Sequence, residues 1–127
     1  MKKKLEKDLP AGVTLFGHVS YEERQSRLAR AHVLVATTVR EGWGLNVSEA
    51  SAVGTPTIGY DAPGLRDSIP MSGGLIVSVS SEKLGRALAD FFEGKIQLTP
   101  KIATQSWEEV CVQFETELSR AINGSLS

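Results

Sequence analysis

The feature that most constrains this fold is a regular alternation of short apolar runs with segments of helical periodicity. His32–Ala36 is almost wholly apolar, which is expected of a strand in a parallel sheet that is buried on both faces. Val13–Phe16, Pro56–Tyr60 and Gly74–Val77 are the other predicted strands. Because short connections join alternating strands and helices, the sequence predicts an α/β fold: a Rossmann-like parallel sheet with helices on both faces.

Capping residues and apolar spacing predict the helices. Ser20 and Glu23 form a capping box, so a helix that buries its apolar side should run from Tyr21 to about Ala31. A helix of small residues is expected at Leu45–Val53, ending at a glycine. The other predictions are one helical turn near Leu65–Ser68, a helix capped by Ser80 or Ser81, and a last helix opened by the capping box of Ser106 and Glu109.

The last helix carries a wide apolar stripe that needs a surface to pack on. Cys111 lies within this stripe, so we interpret it as a small core residue rather than a nucleophile. The stripe comprises Trp107, Val110, Cys111, Phe114, Leu118 and Ile122. Four strands would leave an open sheet edge, so we expect a single, N-terminally incomplete domain: a tail (1–12), an α/β core (13–94), and a linker with the C-terminal helix (95–127). We expect the stripe and the edge of the first strand to be exposed or used in self-association.

Charge and composition exclude several classes of function. The chain has 14 basic and 15 acidic residues, a net charge of −1, so it lacks the basic surface that nucleic acid binding requires. Lys2–Lys4 is the single basic cluster, and we interpret it as a solvated tail. No apolar run approaches the roughly 20 residues that span a bilayer. One cysteine permits no intramolecular disulfide, which fits a cytoplasmic protein.

The segment Glu41–Ala50 is the strongest candidate for a binding site. It follows a predicted buried strand and opens a helix, and the carboxyl end of a parallel sheet is where such folds bind ligands. Gly42 and Gly44 permit close approach to the backbone. Unpaired amides at the helix start favour phosphate, because the helix dipole also attracts negative charge. These amides belong to Leu45, Asn46 and Val47.

Two carboxylates flank this anion site. Glu41 stands beside the glycine turn, and Glu49 lies about one turn into the helix. Carboxylates accept hydrogen bonds well, and sugar hydroxyls are suitable donors. From the residue types alone, an ordinary glycine turn with two solvated glutamates explains the segment equally well.

The segment also resembles a known family. Glu41 and Glu49, with seven residues between them, resemble the E-x7-E motif of retaining glycosyltransferases of the GT-B fold, which has two Rossmann-like domains. The Glu-Gly-Trp-Gly-Leu sequence that begins at Glu41 looks like the corresponding sequence of the GT4-type group. The resemblance extends from Val13 to Phe92. Further segments that match in order are Phe16–Val19, Ala31–Val35, Glu49–Pro56, Pro63–Asp67 and Gly74–Val77.

The resemblance implies that the chain is the C-terminal, donor-binding half of such an enzyme. Glu41 would be the catalytic residue that contacts hydroxyls of the donor sugar, and Glu49 would bind the ribose. The diphosphate would lie at the glycine turn and helix start, which comprise Gly42, Gly44, Leu45, Asn46 and Val47. The base would lie at the turn before the first helix, which comprises Gly17, His18 and Val19. The donor would be a nucleotide-diphosphate sugar, with no metal ion or other cofactor.

The chain departs from the family pattern at several points. Thr37-Thr38 stands where the family has threonine or proline followed by serine, and Pro63-Gly64 stands where it has two glycines. The family's upstream arginine and lysine have no counterpart before Val13, and the N-terminal acceptor-binding domain is missing. We therefore expect a part that is inactive in isolation, from a cytoplasmic enzyme that is peripheral to the membrane when complete. The alternative is a non-catalytic nucleotide-sugar-binding or assembly module that works with a partner chain.

Overall fold

The computed structural model describes residues 6–102 and 107–125. Within these ranges the chain forms three strands and five α-helices after a short 3-10 turn at Glu6–Asp8. The strands are β1 (Leu34–Ala36), β2 (Thr57–Tyr60) and β3 (Leu75–Val77). The helices are α1 (Tyr21–Arg30), α2 (Leu45–Ala52), α3 (Leu65–Met71), α4 (Ser81–Phe92) and α5 (Trp107–Ser125).

The three strands form one parallel sheet in the order β1-β2-β3. Ile58 of the central strand pairs with Val35 on one side and Leu75 on the other. Thr57, Ile58 and Gly59 are all buried, as expected for a strand covered on both faces. The predicted Rossmann-like α/β fold is therefore confirmed.

Helices cover both faces of the sheet. On one face, α2 and α3 contribute a core cluster of Val47, Leu65 and Ile69. On the other face, Leu84 and Ala87 of α4 pack against Ile58. Because α2 begins at the carboxyl end of β1, this packing fixes the start of α2 at the edge of the sheet where ligands bind in such folds.

The predicted strand at Val13–Phe16 is wrong, because this segment pairs with no strand in the part of the chain described. Phe16 is instead 47% exposed, and the guanidinium carbon of Arg27 lies 3.4 Å from the centre of its ring. This cation–π contact holds the segment against α1. In consequence β1 has a partner on one side only among the described residues, and its Val35 is exposed rather than buried.

Helix α1 begins where the capping box predicts, since the Ser20 hydroxyl accepts a hydrogen bond from the Glu23 amide at 3.2 Å. Its predicted burial is wrong: Leu28 is half-buried and Ala29 is exposed. The reason is that α1 lies against α2 rather than on the sheet. The Thr55 hydroxyl, which donates to the carbonyl oxygen of Leu28, helps to hold it there.

Helix α5 exposes every side chain that is described, from residue 108 to residue 124. The expected exposure of its apolar stripe is confirmed at Val110, Phe114, Leu118 and Ile122, while self-association through it stays a prediction. Cys111 is also exposed, so its assignment to the core is wrong. Ser106 of the second capping box lies outside the described residues. None of the helices in the described ranges is both long and apolar enough to cross a bilayer.

Candidate functional site

A cavity of about 160 Å³ lies where β1 ends and α2 begins. Glu41 and Asn46 contribute polar groups to its wall, and Leu65 of α3 also lines it. The remaining lining residues come from β1, the threonine pair and the helix start: Leu34, Val35, Ala36, Thr37, Thr38, Gly44 and Val47. Several predicted donor-site residues therefore meet around one concave surface.

Gly44 shapes the start of α2. It is the N-cap residue and has a φ of +84°, a conformation that favours glycine. A β-carbon at this position would lie 3.0 Å from Cδ2 of Leu65 and 3.2 Å from Oγ of Ser68. Gly42 has no such requirement, because its φ is not positive and the space beside it is open.

The amides at this helix start are only partly free. The N–H of Val47 donates to the carbonyl oxygen of Gly44 at 2.9 Å, so the prediction of a free Val47 amide is wrong. The first turn of the helix is tight enough to satisfy that donor internally. The amides of Leu45 and Asn46 donate to no acceptor in the described part of the chain, and the first turn carries no acidic residue. Two donors thus remain for an anion.

The Glu41 loop is held by the loop that precedes α3. The Glu41 amide donates to the carbonyl oxygen of Pro63 at 3.3 Å. Gly64 has a φ of +85°, and a β-carbon there would lie within 2.8 Å of the carbonyl oxygen of Gly42 and closer still to that of Glu41. Gly64, which is not among the predicted site residues, therefore allows the two loops to pack together.

Glu49 is partly buried and its two carboxylate oxygens differ. Oε1 accepts a hydrogen bond from Nη2 of Arg24 at 2.8 Å. Oε2 is buried and has no hydrogen-bond partner among the described residues. The side chain is 25% exposed, and Glu41 is half-buried as well. Both glutamates are therefore partly shielded from solvent.

Arg24 contacts the predicted site but is not among the residues that the sequence predicts for it. It lines a second concave surface of about 510 Å³ together with the predicted base-binding turn, Gly17, His18 and Val19, and with Ser20 and Tyr21. The same side chain reaches Glu49, so it connects this turn to the helix that begins at Leu45. Nothing in the local sequence pattern signals a contact across 25 positions.

Comparison with known families matches residues 1–106 to the family described as glycosyl transferases group 1. The match covers well over half of the chain. This chain belongs to the group 1 glycosyl transferases. No curated protein and no solved structure matches it.

In this group 1 glycosyl transferase, every predicted site residue lies inside the matched region, whereas α5 lies beyond its end. Trp43 packs against α2, since its Nε1 donates to Oγ of Ser48 at 3.1 Å. Arg66 follows the Gly64 loop and its Nε donates to Oδ1 of Asp61 at 2.6 Å. That hydrogen bond, together with the charge of Asp61, raises the pKa of Arg66, which stays a cation.

No group of three or more histidine, cysteine, aspartate or glutamate side chains within residues 6–102 and 107–125 could hold a metal ion. Sugar transfer without a metal ion or cofactor stays a prediction for this group 1 glycosyl transferase.

Proposed function

We propose that this chain binds the nucleotide-diphosphate sugar donor of a retaining glycosyl transferase of the GT4 type. The observation that carries the proposal is that Oε2 of Glu49 is buried and has no hydrogen-bond partner within residues 6–102 and 107–125. Glu49 lies one turn into a helix whose first two amides donate to no acceptor in the same ranges. A buried acceptor without a donor is unfavourable, so the site favours a ligand that brings a hydroxyl. A ligand that carries both a hydroxyl and a phosphate would bind the Glu49 oxygen through the hydroxyl and the free amides through the phosphate.

The diphosphate lies at the start of α2. The amides of Leu45 and Asn46 donate to its oxygens, and the helix dipole adds a favourable field. Gly44 has no side chain, which allows the helix start to pack closely on Leu65 and Ser68 at the wall of the cavity. The Val47 amide takes no direct part, because it already donates to Gly44. Thr37 and Thr38 line the same cavity and add hydroxyl donors.

The nucleoside lies toward α1. Glu49 accepts a hydrogen bond from a ribose hydroxyl, and the turn formed by Gly17, His18 and Val19 contacts the base. The sugar occupies the cavity beside Glu41, whose carboxylate accepts from hydroxyls near the reacting carbon. In the transfer, the bond between the anomeric carbon and the diphosphate oxygen breaks. The acceptor hydroxyl oxygen bonds to that carbon on the same face, and its proton passes to the departing diphosphate. The free amides stabilise the charge that remains on the diphosphate.

The chain by itself is proposed not to transfer sugar. Catalysis requires an acceptor held at the donor carbon, and that positioning supplies much of the rate enhancement. A second domain or a partner chain would hold the acceptor. We further propose a cytoplasmic location, at the membrane surface in the complete enzyme, and transfer without a metal ion. Sustained transfer from a labelled donor by the purified 127-residue chain would contradict the proposed inactivity.

Replacing Glu41 by alanine should separate recognition of the sugar from recognition of the nucleotide. We expect Glu41→Ala to bind a bare nucleoside diphosphate as the unmodified chain does, because Glu41 lies beside the sugar rather than the ribose. Where the unmodified chain binds the sugar-bearing form more tightly than the bare diphosphate, Glu41→Ala should lose that difference in affinity. The measurement is a titration of both ligands followed by NMR.

Glu82→Ala is the matched control, because Glu82 is an exposed glutamate on α4. It should leave both affinities unchanged. If Glu41→Ala weakens binding of the bare diphosphate and of the sugar conjugate equally, Glu41 does not contact the sugar selectively and its proposed role fails.

A further inference from the structure

We propose that Arg24 is a positioning residue that fixes the carboxylate of Glu49 and thereby makes the site select ligands that carry ribose hydroxyls. This inference rests on the proposed function, since it assigns a specificity determinant to the same donor site. Arg24 lies on α1, so it belongs neither to the start of α2 nor to the Glu41 loop.

The geometry distinguishes the two oxygens of Glu49. Nη2 of Arg24 donates to Oε1 at 2.8 Å, which is a short, charge-assisted hydrogen bond. Oε2 is left buried and without a partner in the described ranges. A carboxylate held at one oxygen cannot rotate freely, so the other oxygen points in a fixed direction. Arg24 therefore prepares a single acceptor for an incoming hydroxyl.

A purely structural role for this ion pair is a poor explanation. The Arg24 side chain is 44% exposed, and ion pairs between exposed groups contribute little to stability. Helix α1 already has another tie to the core, the hydrogen bond from the Thr55 hydroxyl to the Leu28 carbonyl oxygen. Removing the guanidinium should therefore leave the fold intact while it frees the carboxylate.

The surroundings of Arg24 indicate a nucleoside-sized occupant. Arg24 lines the concave surface of about 510 Å³ with the glycine turn and Tyr21, and its guanidinium carbon lies 5.7 Å from the centre of the Tyr21 ring. A ligand there meets the guanidinium of Arg24, which in turn holds the Glu49 carboxylate. A site built to accept from a hydroxyl discriminates against analogues that lack it, because the buried acceptor is then left unpaired.

The test compares ribonucleoside diphosphates with their 2′,3′-dideoxy counterparts. Titrations of ADP, GDP and UDP, of the dideoxy forms and of inorganic pyrophosphate are followed by NMR for the unmodified chain, Arg24→Met, Arg24→Lys and Arg30→Met. Arg30 is the matched control, since it lies on the same helix and its Nε donates to the Ser26 carbonyl oxygen of that helix. Thermal unfolding of each variant checks the fold.

We expect the unmodified chain to prefer at least one ribo form over its dideoxy form by on the order of tenfold or more. Arg24→Met should reduce this ratio toward one, Arg24→Lys should retain part of it, and Arg30→Met should leave it unchanged. Pyrophosphate, which has no ribose, should bind Arg24→Met and Arg30→Met alike.

The possible failures are distinguishable. If the unmodified chain binds no nucleoside diphosphate, the proposed function fails and this inference with it. If it binds them and the ratio is the same in Arg24→Met, the donor site stands and the role of Arg24 is wrong. A ratio near one in the unmodified chain would also overturn the inference.

Discussion

Replacing Gly64 by alanine should destabilise the domain by about 3 kcal/mol or more, because backbone strain and a steric clash add together. Gly64 has a φ of +85° and a ψ of −52°, outside the left-handed helical region, and alanine adopts this conformation only at a cost of about 1–3 kcal/mol. The new β-carbon would also meet the carbonyl oxygens of Glu41 and Gly42 at less than van der Waals distance. Relief of that clash requires the Glu41 loop to move away from the loop before α3.

Gly54→Ala is the matched control, since Gly54 has a φ of +84° and no atom lies within 4 Å of the place where its β-carbon would stand. Gly54→Ala should lower the free energy of unfolding by the backbone strain alone, about 1–2 kcal/mol. Urea unfolding of both variants measures the difference, which reports the contact between the two loops. Equal losses of unfolding free energy would mean that the Glu41 loop does not depend on Gly64.

Replacing Ile69 by alanine should cost about 2–5 kcal/mol of unfolding free energy, the usual range for a buried isoleucine. Ile69 is fully buried and packs with Val47 and Leu65. Its Cδ1 lies only 2.7 Å from where a β-carbon on Gly59 would stand, so α3 sits tightly on β2. The cavity left by truncation lies beneath the helix that begins at the candidate diphosphate site.

The control for this prediction is Ile102→Ala, because Ile102 is 68% exposed. We expect Ile102→Ala to change the free energy of unfolding by no more than about 0.5 kcal/mol. Denaturant unfolding of both proteins provides the comparison. Similar losses for the two variants would show that Ile69 does not support the core between α2, α3 and the sheet.

Local signals in the sequence predict most of the fold. Ser20 and Ser80 cap their helices through side-chain hydrogen bonds, as the capping patterns indicate. The strand prediction at Val13–Phe16 is wrong because apolar composition does not reveal whether a neighbouring strand is present. Helix α3 extends to Met71, beyond the single turn predicted, since Pro70 falls near its end and interrupts little of it.

The candidate site, like the fold, is only partly predictable from local sequence signals. The glycine turn, the helix start and the two glutamates follow from a contiguous motif. The structure gathers Glu41, Gly44, Asn46 and Val47 of this motif around one cavity, which Glu49 does not line. The contacts of Arg24 and Gly64 depend on how α1 and the loop before α3 pack, and no local pattern encodes that packing. The predicted burial of α1 and of Cys111 is likewise wrong because it depends on which surfaces meet.

The most direct test of the donor site is an NMR titration of the isotope-labelled chain with a nucleoside diphosphate, using Glu49→Ala for comparison. We expect an affinity in about the millimolar range, because the phosphate site offers two backbone amides and no lysine or arginine among the described residues lines its cavity. The amide signals of Leu45 and Asn46 should shift, and Glu49→Ala should weaken the binding further. If those two amides stay unmoved at tens of millimolar ligand, or if Glu49→Ala binds as the unmodified chain does, the proposed donor site is contradicted.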